Sequence, residues 1–402
     1  MLFPIQVQAY KGIVKGFKLA SKIIPLPKPT LFTGPGSSLE LCDAIAQVGV
    51  KKVMIVTDSM LVNLGLLNDI EQKLNKNGVD TTIFDGVLPD PTYDQINKGL
   101  AFLKQNNSDA ILAVGGGSSI DAAKVIAAGA TNNQAIEKMI GMFRVWKAPM
   151  PFFAIPTTAG TGSEATVGAV ISDPATHKKG LIIDPKLVPM MAALDSVLMT
   201  GLPASITSAT GMDALTHAIE AYISVNSSQE TDAYALASTR LIMENLHKVM
   251  INGADLVARQ NMSQASFYAG LAITKASVGY VHAISHNFGA YYGTPHGMGN
   301  AIVLPYVLDY SKDVIASRLA ELAEVSGLKK ANESDAELAQ KFIDHIRSML
   351  DAFKIPKQLE ALLVTDIPFI AKAALKEAHY NYPVPKYMDQ KACEKLLRKM
   401  LT

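Results

Sequence analysis

The chain has 402 residues, more than one typical core accommodates, so two domains are expected. Its 37 Lys and Arg against 36 Asp and Glu give a formal net charge of +1, which supplies no general attraction for nucleic acid and sets that partner class aside. Cys42 and Cys393 stand far apart in sequence, which argues against a disulfide framework or a cysteine-ligated metal and fits a reducing cytoplasm; no apolar run reaches the length of a membrane span.

Residues 1–30 form a basic N-terminal extension, with no acidic residue before Glu40. At helical spacing Lys11, Lys15, Lys18 and Lys22 make one stripe and Ile13, Phe17, Ala20 and Ile24 another, with Pro25 as the stop. Lysines that interrupt the apolar positions are unlike a signal peptide. The favoured reading is a helix packed on its own protein or a partner subunit; the other is a membrane-surface helix over residues 11–24.

From Leu31 to about Thr200 short apolar runs alternate with helix-like stretches: KKVMIVTD, TTIFDGV, DAILAVGGGS, MPFFAIPTT and MAALDS. Strand-then-helix alternation with apolar strands predicts an α/β domain over residues 31–200, with a mostly parallel sheet covered on both faces. Asp58 closes the first run, where a carboxylate can accept from a ribose diol and repel a 2′-phosphate, favouring NAD; the ordinary alternative is a helix N-cap. Further on, a strand from Ala110 to Val114 leads into Gly115, Gly116 and Gly117, and then Ser118 and Ser119 open a helix. Glycines admit close backbone approach and a helix start presents free N–H groups, so a pyrophosphate would suit this turn. Ile120 breaks the Gly-x-Gly-x-x-Gly pattern, however, and a structural turn remains an alternative. The segment IPTTAGTGSEAT, with Thr157 and Thr158, adds a second wall of small hydroxyl and glycine residues, or else a polar surface loop.

Residues 201–402 have long helical periodicity and few β-branched runs, which predicts an all-helical domain. In ATGMDALTHAIEAY, Asp213 and His217 lie at i, i+4 on one arc with Thr216 and Glu220. An ordinary solvated helix face has the same appearance. Between Lys275 and Asp309 there is no Lys, Arg, Asp or Glu, yet His282, His286 and His296 fall there. A charge-free window is a poor solvated face, and any single buried histidine is commonly satisfied by a backbone carbonyl. Three of them, beside an Asp-x-x-x-His helix, fit a shared cation better.

The segments GGGSSIDAAK, PTTAGTGSE, ATGMDALTHAIEAY and VHAISHNFGAYYGTPHGMGNAIVLP, in that order, resemble the iron-dependent alcohol dehydrogenase family, the group that includes lactaldehyde reductase and propanediol dehydrogenases. The resemblance runs from about Leu31 to the C-terminus. It implies a dinucleotide-binding α/β domain, an all-helical domain and one divalent metal in the cleft between them. It also implies Asp213, His217, His282 and His296 as metal ligands, and Asp58, Gly115 to Ser118, Thr157, Thr158 and Lys179 as nucleotide-binding residues. His286 is implied to lie near nicotinamide and substrate. Two departures stand out: Asp90 where relatives often carry Asn, and NYPVPKY in place of the commoner Asn-Pro-Arg.

The expected activity is hydride transfer between a small alcohol and NAD, with Fe²⁺ implied by the resemblance and Zn²⁺ sharing the same donor preference. Three imidazoles and one carboxylate leave a divalent ion with net positive charge, a usable Lewis acid. His286, at i+4 from His282, is the candidate for passing the alcohol proton to solvent. The rivals are a glycerol-dehydrogenase-like or dehydroquinate-synthase-like enzyme of the same architecture, a metallohydrolase, and a metal-sensing or storage protein. A homo-oligomer is expected, since many relatives associate.

Overall fold

The computed structural model describes residues 3, 6–12, 14, 16, 26–175 and 179–402. Within the extension, residues 6–12 are helical, and the Tyr10 ring lies against His379 and Tyr380, with centroids 4.9 and 5.1 Å away. This turn therefore packs on its own chain. Much of the stripe expected over residues 11–24, including Lys15, Lys18, Lys22, Ile13, Phe17, Ala20 and Ile24, lies outside the described residues.

Two compact units divide the chain. The first comprises Leu26–Leu202 together with Asn252–Phe267 and is built on a six-stranded parallel sheet of order β3-β2-β4-β6-β9-β1. Its strands are β1 (Thr30–Thr33), β2 (Lys52–Val56), β3 (Asp80–Phe84), β4 (Ala110–Gly115), β6 (Phe152–Pro156) and β9 (Met191–Leu194). All five apolar runs of the sequence are strands of this sheet. Central β4 shows why they read as unbroken: Ile111 and Ala113 enter one apolar cluster while Ala110, Leu112 and Val114 enter another on the opposite face. The helix Gly117–Thr131 covers the first face with Ile120, Ala123 and Ile126, and the helices Ser37–Gln47 and Asn68–Lys76 cover the second with Leu41, Ile45 and Leu74.

Two features had no sequence expectation. Strand β1 has only four residues, too few to show a period, and a separate sheet forms from β5 (Gly141–Met142), β8 (Lys179–Ile183) and β7 (Gly168–Ser172), with β7 and β8 antiparallel.

The second unit, which includes 203–251 and 268–402, is helical. Helix Ala204–Ile223 is buried on every side from Gly211 onward, so the solvated-face reading of its polar arc does not hold. Asp213 and Glu220 are only 2% and 3% exposed. Helix Tyr280–Tyr292 starts after Gly279, and helix His296–Val325 follows the loop Gly293–Pro295. His296 is thus the first residue of a helix, with Pro295 immediately ahead of it in non-helical backbone. Among the described residues no helix is long and apolar enough to cross a membrane.

Candidate functional site

Three helices of the helical unit bring the four candidate ligands together. Asp213 and His217 project from successive turns of Ala204–Ile223, His282 from the first turn of Tyr280–Tyr292, and His296 from the start of His296–Val325. One ligand atom from each lies within 4.8 Å of the others. Four donors about 2.1 Å from one ion stand at most about 4.2 Å apart, so side-chain shifts of about half an ångström close the set on a single ion. The donor chemistry fits as well. Asp213 Oδ1, His282 Nε2 and His296 Nε2 all converge on the amino group of Asn300, at 2.7, 3.1 and 3.2 Å. An amino group has two protons for those three acceptors, and buried Asn300 Oδ1 and His217 Nδ1 have no hydrogen-bond partner. A cluster of lone pairs this rich suits a cation.

Glycines let these helices meet. A Cβ on Gly297 would stand 2.8 Å from the Ala209 carbonyl carbon and 3.3 Å from Asp213 Cβ, so only glycine lets His296 start its helix against Ala204–Ile223. A Cβ on Gly279 would meet Glu220 Oε1 at 2.9 Å.

Glu220 has a role the sequence reading missed. Its carboxylate accepts the N–H groups of Gly279 (2.9 Å) and Val281 (2.7 Å) and pairs with His282 Nδ1 at 2.6 Å. Placing the His282 proton on Nδ1 leaves Nε2 as the lone-pair atom that faces the cluster. Burial, helped by the Asp213 charge, pushes the Glu220 carboxyl up to about 8 even though the backbone N–H groups of Gly279, Val281 and His282 favour its charged form. A signal was present in the sequence: Glu220 follows His217 by three residues, on the arc that carries Asp213. Asn300, at i+4 from His296, carried an equivalent one.

His286 stands one turn beyond His282, with its ring stacked on His296 at 5.4 Å between centroids. Its Nδ1 pairs with Glu377 Oε1 at 2.7 Å.

The nucleotide candidates belong to the α/β unit and gather at the carboxyl ends of three adjacent strands. Asp58 lies just past β2, Gly115 to Ser118 at the end of β4, and Thr157 and Thr158 past β6. Strand β4 pairs with β2 on one side and β6 on the other, so the three loops are neighbours. Carboxyl ends of parallel strands are where open α/β sheets bind ligands. Gly115 has φ +155°, and a Cβ there would meet Ser119 Cβ at 2.7 Å; one on Gly117 would meet Thr161 Oγ1 at 2.8 Å. The turn thus keeps bare backbone beside the start of the helix Gly117–Thr131, a fit for a pyrophosphate. Asp58 caps the helix Ser59–Asn63 through Leu61 N–H (3.1 Å), the ordinary role weighed for it. Lys179 stands apart from these loops in sequence, opens β8 and pairs with Asp90 at 2.7 Å, so the two residues of one departure and one nucleotide assignment hold each other.

Comparison with known proteins gives the same pattern. Residues 28–196 match the family described as iron-containing alcohol dehydrogenase, and residues 207–401 match its C-terminal family. The chain is 39% identical to the NAD-dependent methanol dehydrogenase of Bacillus methanolicus over 87% of its length and 92% of that protein. It is 37% identical to 1,3-propanediol dehydrogenase of Klebsiella pneumoniae, covering 87% of this chain and 91% of the relative. Among solved structures, a 1,3-propanediol oxidoreductase superimposes with TM-score 0.90 at 34% identity, over 94% of this chain and all (100%) of the other.

Proposed function

Because the chain belongs to the iron-containing alcohol dehydrogenase family, we propose that it interconverts short primary alcohols or diols and their aldehydes, with NAD as hydride carrier and Fe²⁺ as the resident ion. The observation that carries this reading is the convergence of Asp213, His217, His282 and His296 on one point. Those four residues would hold the ion, and Asp58, Gly115 to Ser118, Thr157 and Thr158 would hold the nucleotide, with Lys179 contributing only if it exchanges Asp90 for a phosphate. When bound, the ion supplies a Lewis acid for the alcohol or carbonyl oxygen and the nicotinamide supplies the hydride acceptor.

The chain's own residues do the rest. Glu220 and Asn300 orient the ligand atoms, and the near-complete burial of Asp213, His217 and His282 keeps bulk water from competing for them. Oxidation of R–CH₂–OH to R–CHO releases one hydride from carbon and one proton from oxygen. His286, part-exposed on the same helix as His282, would take that proton and return it in the reverse direction. Two buried free cysteines suit a reducing cytoplasm, and a homo-oligomer is our reading of the assembly.

Metal analysis of the purified chain combined with initial rates on short primary alcohols, diols and matching aldehydes tests this reading. Alcohol-dependent NADH formation that scales with bound iron is expected. Ester or phosphate hydrolysis with no NADH signal would favour the metallohydrolase, and preference for glycerol over monohydric alcohols would favour the polyol enzyme.

A further inference from the structure

Helix Tyr280–Tyr292 carries two histidine–carboxylate pairs one turn apart, and they differ in access to water. The side chains of His282 and Glu220 are 3% and 2% exposed, while those of His286 and Glu377 are 19% and 29% exposed. Glu377 comes from a different helix, Ile367–Asn381, and its Oε1 also accepts the hydroxyl of Tyr382 at 2.6 Å. Tyr382 is buried and its hydroxyl is held well above its ordinary range by burial and by Glu377, so it acts as a donor. It lies in NYPVPKY, the segment where this chain departs from the family pattern.

A carboxylate oxygen opposite Nδ1 requires the imidazole proton on that nitrogen, which leaves the lone pair on Nε2 in the neutral ring. The ring is fixed laterally too, stacked on His296 with planes 19° apart and edge-on to His282 at 5.9 Å. Without the carboxylate, the ring could flip or change tautomer and offer N–H where a proton acceptor is needed. We propose that Glu377, anchored by Tyr382, is a positioning residue for alcohol oxidation: it holds His286 in the Nδ1-protonated tautomer, with Nε2 as the acceptor. The proposal rests on the alcohol dehydrogenase reading. It assigns the two pairs on one helix different duties, the sealed one to hold an ion and the open one to exchange protons with solvent.

The test begins with a readout that needs no activity. In the full-length, metal-free chain labelled with ¹⁵N-histidine, the ring correlations of His286, assigned by their loss in H286A, should report a single Nδ1–H tautomer. E377A should convert it to a mixture, and E377Q, whose amide oxygen can still accept, should preserve it. A wild-type His286 protonated on Nε2, or a tautomer unchanged in E377A, would overturn the proposal. In the iron-loaded enzyme, E377A should lower kcat for alcohol oxidation about 10- to 100-fold, the range for outer partners of functional histidines, with iron content and NAD affinity retained. Y382F should produce a smaller loss in the same direction. Adding E377A to H286A should cost nothing further; additive losses would show that Glu377 does not act through His286. Absence of alcohol-dependent NADH formation in the wild type would sink the functional reading, while the tautomer measurement would still decide the role of Glu377.

Discussion

At the residue scale the most consequential side chain is Glu220, because a single carboxylate serves a candidate ligand and the backbone that leads into its helix. Glu220→Ala leaves the N–H groups of Gly279 and Val281 without their acceptor and frees the His282 ring. Each buried, unsatisfied donor costs about 1–3 kcal/mol, and loss of an outer carboxylate typically weakens metal affinity about 10- to 100-fold. Chelator competition followed by metal analysis should show that weakening; unchanged affinity would mean that His282 is held by its packing alone. Asp58 offers a cleaner separation of two roles. Asp58→Asn keeps an oxygen for the Leu61 N–H but removes the charge that would repel a 2′-phosphate. The ratio of kcat/KM for NAD over NADP should fall while the melting temperature stays put, whereas Asp58→Gly should lower both. If the ratio is unmoved in both variants, Asp58 is only a cap.

At the element scale, the helix after the glycine turn is tied to the neighbouring loop by buried charge. Lys124, fully buried, donates to Thr166 O (2.9 Å), Thr166 Oγ1 (2.9 Å) and Gly168 O (2.6 Å), and burial lowers its ammonium to about 8 despite Asp121 and Glu164 nearby. Asp121 on the same helix accepts Ser163 Oγ–H and, at 2.8 Å, Val170 N–H. Lys124→Met therefore strands two carbonyls and removes the cation beside the Asp121 and Glu164 carboxyls, at a cost of about 3–5 kcal/mol. A melting temperature several degrees lower, with weaker NAD binding by titration, is expected; a variant as stable as wild type would show that methionine packing compensates. Elements of this kind were partly legible. The apolar runs announced the large sheet because both faces of its strands are covered, whereas β5, with two residues, and the half-exposed β8 had no pattern to betray them. The polar arc of Ala204–Ile223 was misleading by itself, since periodicity records where polar residues lie and not whether water or other helices face them. The charge-free window around His282 resolved it.

At the scale of the whole molecule, residues that would serve the nucleotide and residues that would hold the ion fall in different compact units. His282→Ala should accordingly abolish turnover and cut metal content while leaving NAD affinity near wild type, measured by fluorescence titration against the metal-analysed protein. A parallel collapse of NAD binding would mean that the substitution unfolds the chain. The candidate ligands were legible because His282, His286 and His296 cluster in sequence within a segment lacking charge. Of the supporting carboxylates, Glu220 was visible only as a member of the Asp213 arc, its pairing with His282 spanning 62 positions, and Glu377 had no local signal at all, since it reaches His286 across 91 positions.

The course of the backbone has one further implication. Residues 252–267 return to the α/β unit, where Gln260 bonds Thr33 Oγ1 at 2.9 Å and the Leu194 carbonyl at 3.0 Å, beside the edge formed by β1 and β9. A gene truncated after codon 202 would encode that edge without its brace, so the α/β half is not a detachable module, and recombining it with a foreign helical half would require junctions after residues 25, 202, 251 and 267 rather than a single one.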